Sequence, residues 1–553
     1  MSRLTVPPNF TGTAGSDTIV GEDLNKFPAI GIDILTGGFI FTGLGKDTIK
    51  GNGTGGKGAD GAIGKNVNGS EGGAGIGISN NGNLNAGSGD DAIMSKGNGG
   101  LGGNGRNESD PNLSENSGTF TFGGSGGTGT GISNSGILNT GLGNDTIISN
   151  GTGGNGGDGG GHFLSGGYSG YGIGISNSGK LNTGGGNDTI AGTAQGGTGG
   201  EDYLGVNGGT ATGISNSGKL NAGDGNDTIT GTGQGGTGGG GRLGSDGGFG
   251  IGISNTGQLD TGDGNDTITG IGIGGISGFG IGGPGSGGAG TGISNNGNLN
   301  TGAGNDTITG TGTGTATNKG RVFVGDTILT LGGTGTGIIN SKKLDTGDGE
   351  DTIIGTGTGI GGTNIYGTGI QNMKGVTITT GQGNDTITGS GKIPGANGTA
   401  YGISNDGVID TGNGCDILTG QATATIAGAA YGIYGKGTIK TGDGNDKITS
   451  TSSINEVQQK VTIGGGINID LGTGNDYFKG FGTGTVDGGK GFDTLDLSAF
   501  NRSELTFSGV ISGNALNPAN ISFNNNGDVI TLSTTGFENF IFADGSLGYS
   551  TLV

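Results

Sequence analysis

Tryptophan is missing from this chain of 553 residues, and histidine and cysteine occur once each, as His162 and Cys415. Apolar residues reach only 28% and aromatic ones 5%. That is too few large side chains for the several cores that a chain of this length ordinarily contains. A single cysteine excludes an internal disulfide framework and says little about the compartment. Basic residues are scarce, with 24 Lys and Arg against 45 Asp and Glu and a net charge of −21. Such a balance disfavours nucleic acid, whose phosphates need a basic surface, and an anionic membrane surface equally. No run of about 18 apolar residues is available to span a bilayer. The opening Met1-Ser-Arg-Leu-Thr-Val-Pro-Pro lacks the apolar stretch of an ordinary secretory signal.

Catalytic groupings are equally sparse. His162 lies in a Gly-rich stretch and reads as a solvated loop residue. Cys415 has no His nearby in sequence and reads as an exposed thiol. A polysaccharide lyase or epimerase would need acidic residues clustered with Lys or Arg. Arg106, Arg242 and Arg321 are instead scattered over unrelated stretches, so the chain reads as a non-enzyme.

What the chain has is glycine, 153 residues of it, and a repeated stretch, Thr261-Gly-Asp-Gly-Asn-Asp-Thr-Ile268. Two glycines permit a tight turn with left-handed dihedrals, and bare backbone lets carbonyl oxygens point at one spot. The Asp adds a charged oxygen there, and the Ile returns the chain to a core. Oxygen-only ligands suit a hard cation, calcium above all. The other reading is an Asp that merely accepts backbone N–H groups in a turn.

The motif aspartates are Asp17, Asp47, Asp91, Asp145, Asp188, Asp227, Asp266, Asp306, Asp351, Asp385, Asp416, Asp446, Asp476 and Asp493. Up to Asp476 they are never closer than 30 residues, and the last step, to Asp493, is 17. A second motif, Gly-Ile-Ser-Asn-Ser-Gly-x-Leu, precedes each, as at Gly174, Gly213, Gly252, Gly292 and Gly402. Each coil therefore has three apolar anchors, for instance Ile214, Leu220 and Ile229, each inside a short strand bounded by turn residues. Three strands at a fixed repeat predict an all-β fold, a three-sided parallel β-solenoid of about 30 residues per coil with a thin shared core. At about 4.8 Å per coil, fourteen coils make a rod of roughly 65 Å. Asn177, Asn216, Asn255, Asn295 and Asn405 then fall above one another, either as a ladder of amide hydrogen bonds or as turn formers.

Steps longer than 30 carry Gly-rich inserts such as Gly151 to Gly170, Gly192 to Thr210 and Gly231 to Gly248. They read as flexible loops on one edge, or alternatively as extended strands packed into a side lobe. Residues 1–40 read as an N-terminal cap, 41–496 as the repeats, and 497–553, richer in Phe, Ile and Leu, as a small β cap.

These repeats resemble those of the RTX, or hemolysin-type calcium-binding, proteins, whose nonapeptide is Gly-Gly-x-Gly-x-Asp-x-apolar-x. The nearest copy is Gly488-Gly-Lys-Gly-Phe-Asp-Thr-Leu-Asp496. In style the chain is similar to cyanobacterial surface and fibril proteins of that family. The resemblance implies an uncleaved C-terminal signal read by type I secretion machinery, hence a secreted, cell-surface protein. It also implies an ion between successive turns, held by carbonyls of one turn and the Asp of the next. Carried over, the fourteen aspartates are ligands, with the carbonyls of Gly143, Gly186, Gly225, Gly264, Gly304, Gly349, Gly383, Gly414, Gly444 and Gly474. About thirteen Ca2+ ions would bring about +26, close to cancelling the acidic excess of a column whose rungs otherwise repel. The chain departs from the family in having one motif per 30 or more residues, with Thr in place of the first Gly. That favours three sides and one ion column over a two-sided roll. Lys46, Ala14 and Phe492 vary the pattern locally and leave occupancy there open.

The expected function is that of a calcium-stabilised structural protein that self-associates into a surface layer, sheath or fibril. An adhesin or an ice binder is the alternative, because Thr228, Thr230 and Thr232 point outward along one strand and Thr267 and Thr269 repeat them a coil later. Thr also suits any exposed strand, and the inserts would interrupt such a face. A carbohydrate-active enzyme is the remote alternative.

Overall fold

The structure, a computed structural model, describes residues 2–61, 67–105, 121–160, 166–201, 203, 205–280, 285–316, 322–324, 327–329, 332–395, 397–425, 428–509 and 518–552. His162, Arg106 and Arg321 lie outside the described residues.

The chain is all-β and winds into a parallel three-sided solenoid. A first column of strands includes Ala211–Asn216, Gly250–Asn255 and Gly290–Asn295. A second includes Lys219–Asp224, Gln258–Asp260 and Asn298–Asn300. A third includes Thr228–Gln234, Thr267–Ile273 and Thr307–Thr313. Like pairs with like, in parallel and in register: Ile214 with Ile253, Leu220 with Leu259, Ile229 with Ile268. These anchors are at most 1% exposed and belong to one core running the length of the chain. A solenoid makes each coil's thin apolar layer sufficient, because its neighbours cover it above and below.

Glycine decides the cross-section. Beyond Ile268 the third column turns Gly270 inward against the Gly292 carbonyl, while Gly252 of the first column faces the backbone of Gly270 and Ile271. No side chain fits between the two sheets there, so the triangle tapers from its Ile and Leu corner to a backbone-on-backbone edge.

The inserts continue that edge. The N–H of Gly209 donates to the Gly197 carbonyl, Gly236 to Gly209, Gly248 to Gly236 and Gly275 to Gly248, at 2.7–2.9 Å. Three residues away a second row repeats the pattern: Gly239 to Val206 and Gly278 to Ser245. A three-residue hydrogen-bond period is that of polyproline II helices. The flexible-loop reading of the inserts is therefore replaced by the packed side lobe. The physical reason is the local Gly-Gly-x spacing, as in Gly196-Gly-Thr-Gly-Gly200. It leaves two sides of each three-residue turn bare for neighbouring backbones and sends the third residue outward.

The first coil is already part of the stack. Leu4–Val6, Phe10–Thr11 and Thr18–Lys26 pair in parallel with Ala29–Ile34, Phe39–Phe41 and Thr48–Gly55. At the other end the coil narrows. The step of 17 residues before Asp493 is shortened to Tyr477–Lys479, Gly482–Asp487 and the two-residue Lys490–Gly491 of its motif turn. Beyond it, Asp528–Thr535 and Asn539–Phe542 still stack in parallel on the coil beneath. The segments between turn back as antiparallel hairpins, and Phe481, Phe500 and Phe523 pack edge to face beneath them.

Candidate metal centre

The motif turn joins the second column to the third. Both of its glycines take positive φ, +92° at Gly262 and +146° at Gly264, a region that a side chain resists. A Cβ on Gly264 would also strike the carbonyl oxygen of Gly225 one coil earlier. The repeated Gly-x-Gly is thus required twice over, by dihedral angle and by stacking distance. The turn bends the chain sharply enough that Asp266 points inward.

The aspartates form one column. The N–H of Asp188 donates to Oδ1 of Asp227, Asp227 to Asp266 and Asp266 to Asp306, at 2.7–2.8 Å. The same bond joins every consecutive pair from Asp17 to Asp493. In each carboxylate from Asp47 to Asp493 the second oxygen, Oδ2, is buried without a hydrogen-bond partner. Buried carboxylate oxygens are ordinarily satisfied, so this column of orphans marks where a ligand fits. The turn reading is thereby half correct: Oδ1 serves backbone N–H groups and Oδ2 does not. Asp17 is the exception, since its Oδ2 accepts the Thr13 N–H at 2.7 Å. Asp47 and Asp493 keep the common arrangement despite Lys46 and Phe492.

The glycine carbonyls complement these oxygens. Among the described residues no hydrogen bond ends on the carbonyls of Gly143, Gly186, Gly225, Gly264, Gly304, Gly349, Gly383, Gly414 or Gly444. No three His, Cys, Asp or Glu side chains converge on one point among the described residues. A cation at a rung would therefore draw on one carboxylate oxygen and backbone carbonyls. All donors are hard oxygens, which fits Ca2+ and does not fit a thiolate- or imidazole-seeking metal.

Without a cation these carboxylates are costly. Burial pushes Asp91, Asp227, Asp306, Asp385 and Asp476 up to about 7. It pushes Asp351, Asp446 and Asp493 up to about 6. Asp145, Asp188, Asp266 and Asp416 are raised for the same reason. At most rungs neighbouring carboxylates add to the rise, while the N–H bond from the preceding coil opposes it.

Two flanking ladders escape the sequence reading. From Thr42 to Gly488 the residue five before the Asp, usually Thr where the family has Gly, is buried. Thr183, Thr261 and Thr301 direct their hydroxyls to the carbonyls of Ala222, Thr301 and Thr346 at 2.8–3.2 Å. Thr301 lies beside Asp306 and favours its charged form, but its proton is spent on the next coil and Oδ2 of Asp306 keeps no partner. On the outer side Oδ1 of Asn187 accepts the Asn226 N–H, and Asn226 does so for Asn265, at 2.7–2.8 Å. The recurrence of Thr and Asn at fixed offsets from the Asp was the available signal. The anticipated asparagine ladder is present: Nδ2 of Asn177 donates to Asn216, Asn216 to Asn255 and Asn255 to Asn295, at 2.8–2.9 Å. It extends through Asn80, Asn134, Asn340 and Asn372 to Asn405.

Cys415 is exposed on the motif turn. Arg242 stacks over the Tyr203 ring in the lobe. The two share no site.

No family model matches the chain, and no curated protein does. Among solved structures, one of a hyperactive, Ca2+-dependent, β-helical antifreeze protein from an Antarctic bacterium is similar at 16% identity. The match covers 97% of this chain and 94% of that one, with a TM-score of 0.32. A likeness at that level carries nothing about site or function.

Proposed function

We propose that this is an extracellular structural protein whose solenoid is completed by calcium. The observation that supports the reading best is the column of thirteen buried, unpartnered Oδ2 atoms from Asp47 to Asp493. At neutral pH the metal-free column would carry stacked charges in its core; a file of divalent ions removes that cost and turns binding energy into folding energy. Extracellular calcium sites of about 10⁻⁴–10⁻³ M would then keep the chain unfolded inside a cell and fold it outside. On this reading it is an RTX-type protein exported by a type I system, with no catalytic role. The first coil supports self-association into a layer, sheath or fibril. Its strands are paired on one side only, an open edge that natural sheets otherwise guard, and Phe27, Phe39, Phe41 and Leu44 stand exposed near it. Negative-stain images with and without EGTA test this: ordered arrays or filaments in calcium support it, and discrete monomers at every calcium concentration count against it.

A second reading, ice or surface binding, draws on the third column. Thr228, Thr267, Thr307, Thr352 and Thr386 form one outward row in register, and Thr230, Thr269 and Thr309 another. Contrary to expectation, the inserts leave only after these strands end, so the rows are continuous. Ile271, Ile273 and Ile354 break the hydroxyl grid. Thermal hysteresis of calcium-loaded protein, lost in Thr269→Tyr, would favour this reading over the first.

A further inference from the structure

The column of aspartates stops at Asp493, but the structure does not. We propose that a terminal cation site closes it, with Glu538 of the C-terminal segment standing where the next coil's aspartate would be. The inference rests on the calcium reading of the column.

Register makes the first case. Thr494 pairs with Asn539 and Leu495 with Phe540, so Glu538 lies above Asp493 as each motif Asp lies above the one before it. Hydrogen bonding makes the second. The Asp493 N–H donates to Oε2 of Glu538 at 2.8 Å, the bond that the Asp476 N–H makes to Oδ1 of Asp493 at 2.8 Å. A longer side chain from a different local sequence reproduces the rung.

The third case is the space itself. Oδ2 of Asp493 is buried and unpartnered, and Asp493 is 0% exposed. A Cβ placed on Gly488 would stand 2.6 Å from the Gly536 carbonyl oxygen and 3.0 Å from Oδ2 of Asp493. Two oxygens thus converge beside a bare glycine, and Gly536 takes φ +75°, the backbone sign found at the motif glycines. Two carboxylates and a carbonyl form a hard-oxygen set for a divalent ion of the calcium kind. Sequence alone hides the site, because Thr535-Gly-Phe-Glu-Asn-Phe540 lacks Gly-x-Gly-x-Asp.

The site would tie the cap to the rod. Leu505–Ser508 and Ala519–Asn525 join the sheet beneath through Asp528–Thr535, with Phe523 also packed on Phe481, and Glu538 follows that strand directly. At calcium about ten times its dissociation constant, one such site shifts the docked population about tenfold.

The experiment counts ions on the full chain by native mass spectrometry in calcium, for wild type, Glu538→Gln and Asp528→Asn, the last an exposed acid on the same cap. Glu538→Gln is expected to hold one ion fewer, and residues 497–553 to be cleaved by protease about tenfold faster at that calcium level, while Asp528→Asn matches wild type. An unchanged count and unchanged cleavage in Glu538→Gln overturn the inference, as does equal loss in Asp528→Asn. Should Glu538→Gln fail to fold, a map of wild-type crystals grown in calcium decides. Density between Glu538 and Asp493 upholds the site; ions along the column with none here overturn it and leave the column intact. A wild-type chain that binds no calcium removes the column reading and this inference together.

Discussion

The backbone N–H of Asp227 donates to Oδ1 of Asp266 at 2.7 Å, while Oδ2 of Asp266 is buried with no partner. One carboxylate thus does two things: one oxygen sets the register between coils and the other is left for a cation. The consequences of removing it depend on whether the cation is there.

Asp266→Asn is expected to have opposite effects in calcium and in EGTA. An amide oxygen can still accept the Asp227 N–H, so register survives. In saturating calcium, at about 100 times the dissociation constant, losing one ion costs about 2.7 kcal/mol. In EGTA at pH 8 the same change removes a buried charge and stabilises the fold. Thermal melts under both conditions check the crossing; destabilisation of equal size in both would mean that Oδ2 holds no ion.

The metal-free protein should lose stability as pH rises. Its column carboxylates sit at about 6–7 folded against 3.8 unfolded. Groups raised in this way add stability that is full below about pH 4, shrinks as pH climbs and is gone above about 7. Calcium binds the deprotonated form and should reverse the slope. Melting temperature from pH 4 to 8, with EGTA and with calcium, gives the two slopes, and parallel slopes would contradict the metal assignment.

Gly264→Ala should be markedly worse than Gly375→Ala. Both positions have positive φ, +146° and +78°, but only Gly264 has another coil's carbonyl where the methyl would go, and around Gly375 the space is open. Strained dihedrals alone cost about 1–2 kcal/mol; overpacking adds about 1–3 kcal/mol at Gly264. Denaturant melts in calcium compare the two.

Asn216→Ala removes a buried rung whose Nδ2 donates to Oδ1 of Asn255 at 2.9 Å and to the Gln258 carbonyl at 2.7 Å, and whose Oδ1 accepts from Asn177. Three partners lose a bond inside the core, at about 1–3 kcal/mol for each group left unsatisfied. The variant should melt well below wild type with calcium binding per rung unchanged, which separates this ladder from the aspartate column.

The lobe should protect its amides. Gly209, Gly236, Gly248 and Gly275 each donate across it, so their hydrogen exchange should slow with that of the solenoid strands. Exchange at the rate of an open chain would restore the flexible-loop view.

Much of this was legible from spacing. Ile214, Leu220 and Ile229 recur at one offset from each Asp, and side-chain period and stacking follow from that alone. The Gly-rich inserts were not legible in the same way. Their Gly-Gly-x triplets are short and imperfect, and the acceptors come from a neighbouring coil for Gly197 and Gly236 and from the other arm of the same insert for Gly209. Glu538 was hidden for a related reason, since it takes the place of an Asp through strand pairing and not through a shared motif.

Residue order by itself determined the coil, its three apolar corners and the row of aspartates, because each depends on offsets within one repeat. Which Asp oxygen bonds and which is left bare, how the lobe packs, and how the column meets the cap were decided only in three dimensions. Those outcomes depend on contacts between coils some 17 to 54 residues apart, and a single repeat does not encode the atoms that its neighbour will present.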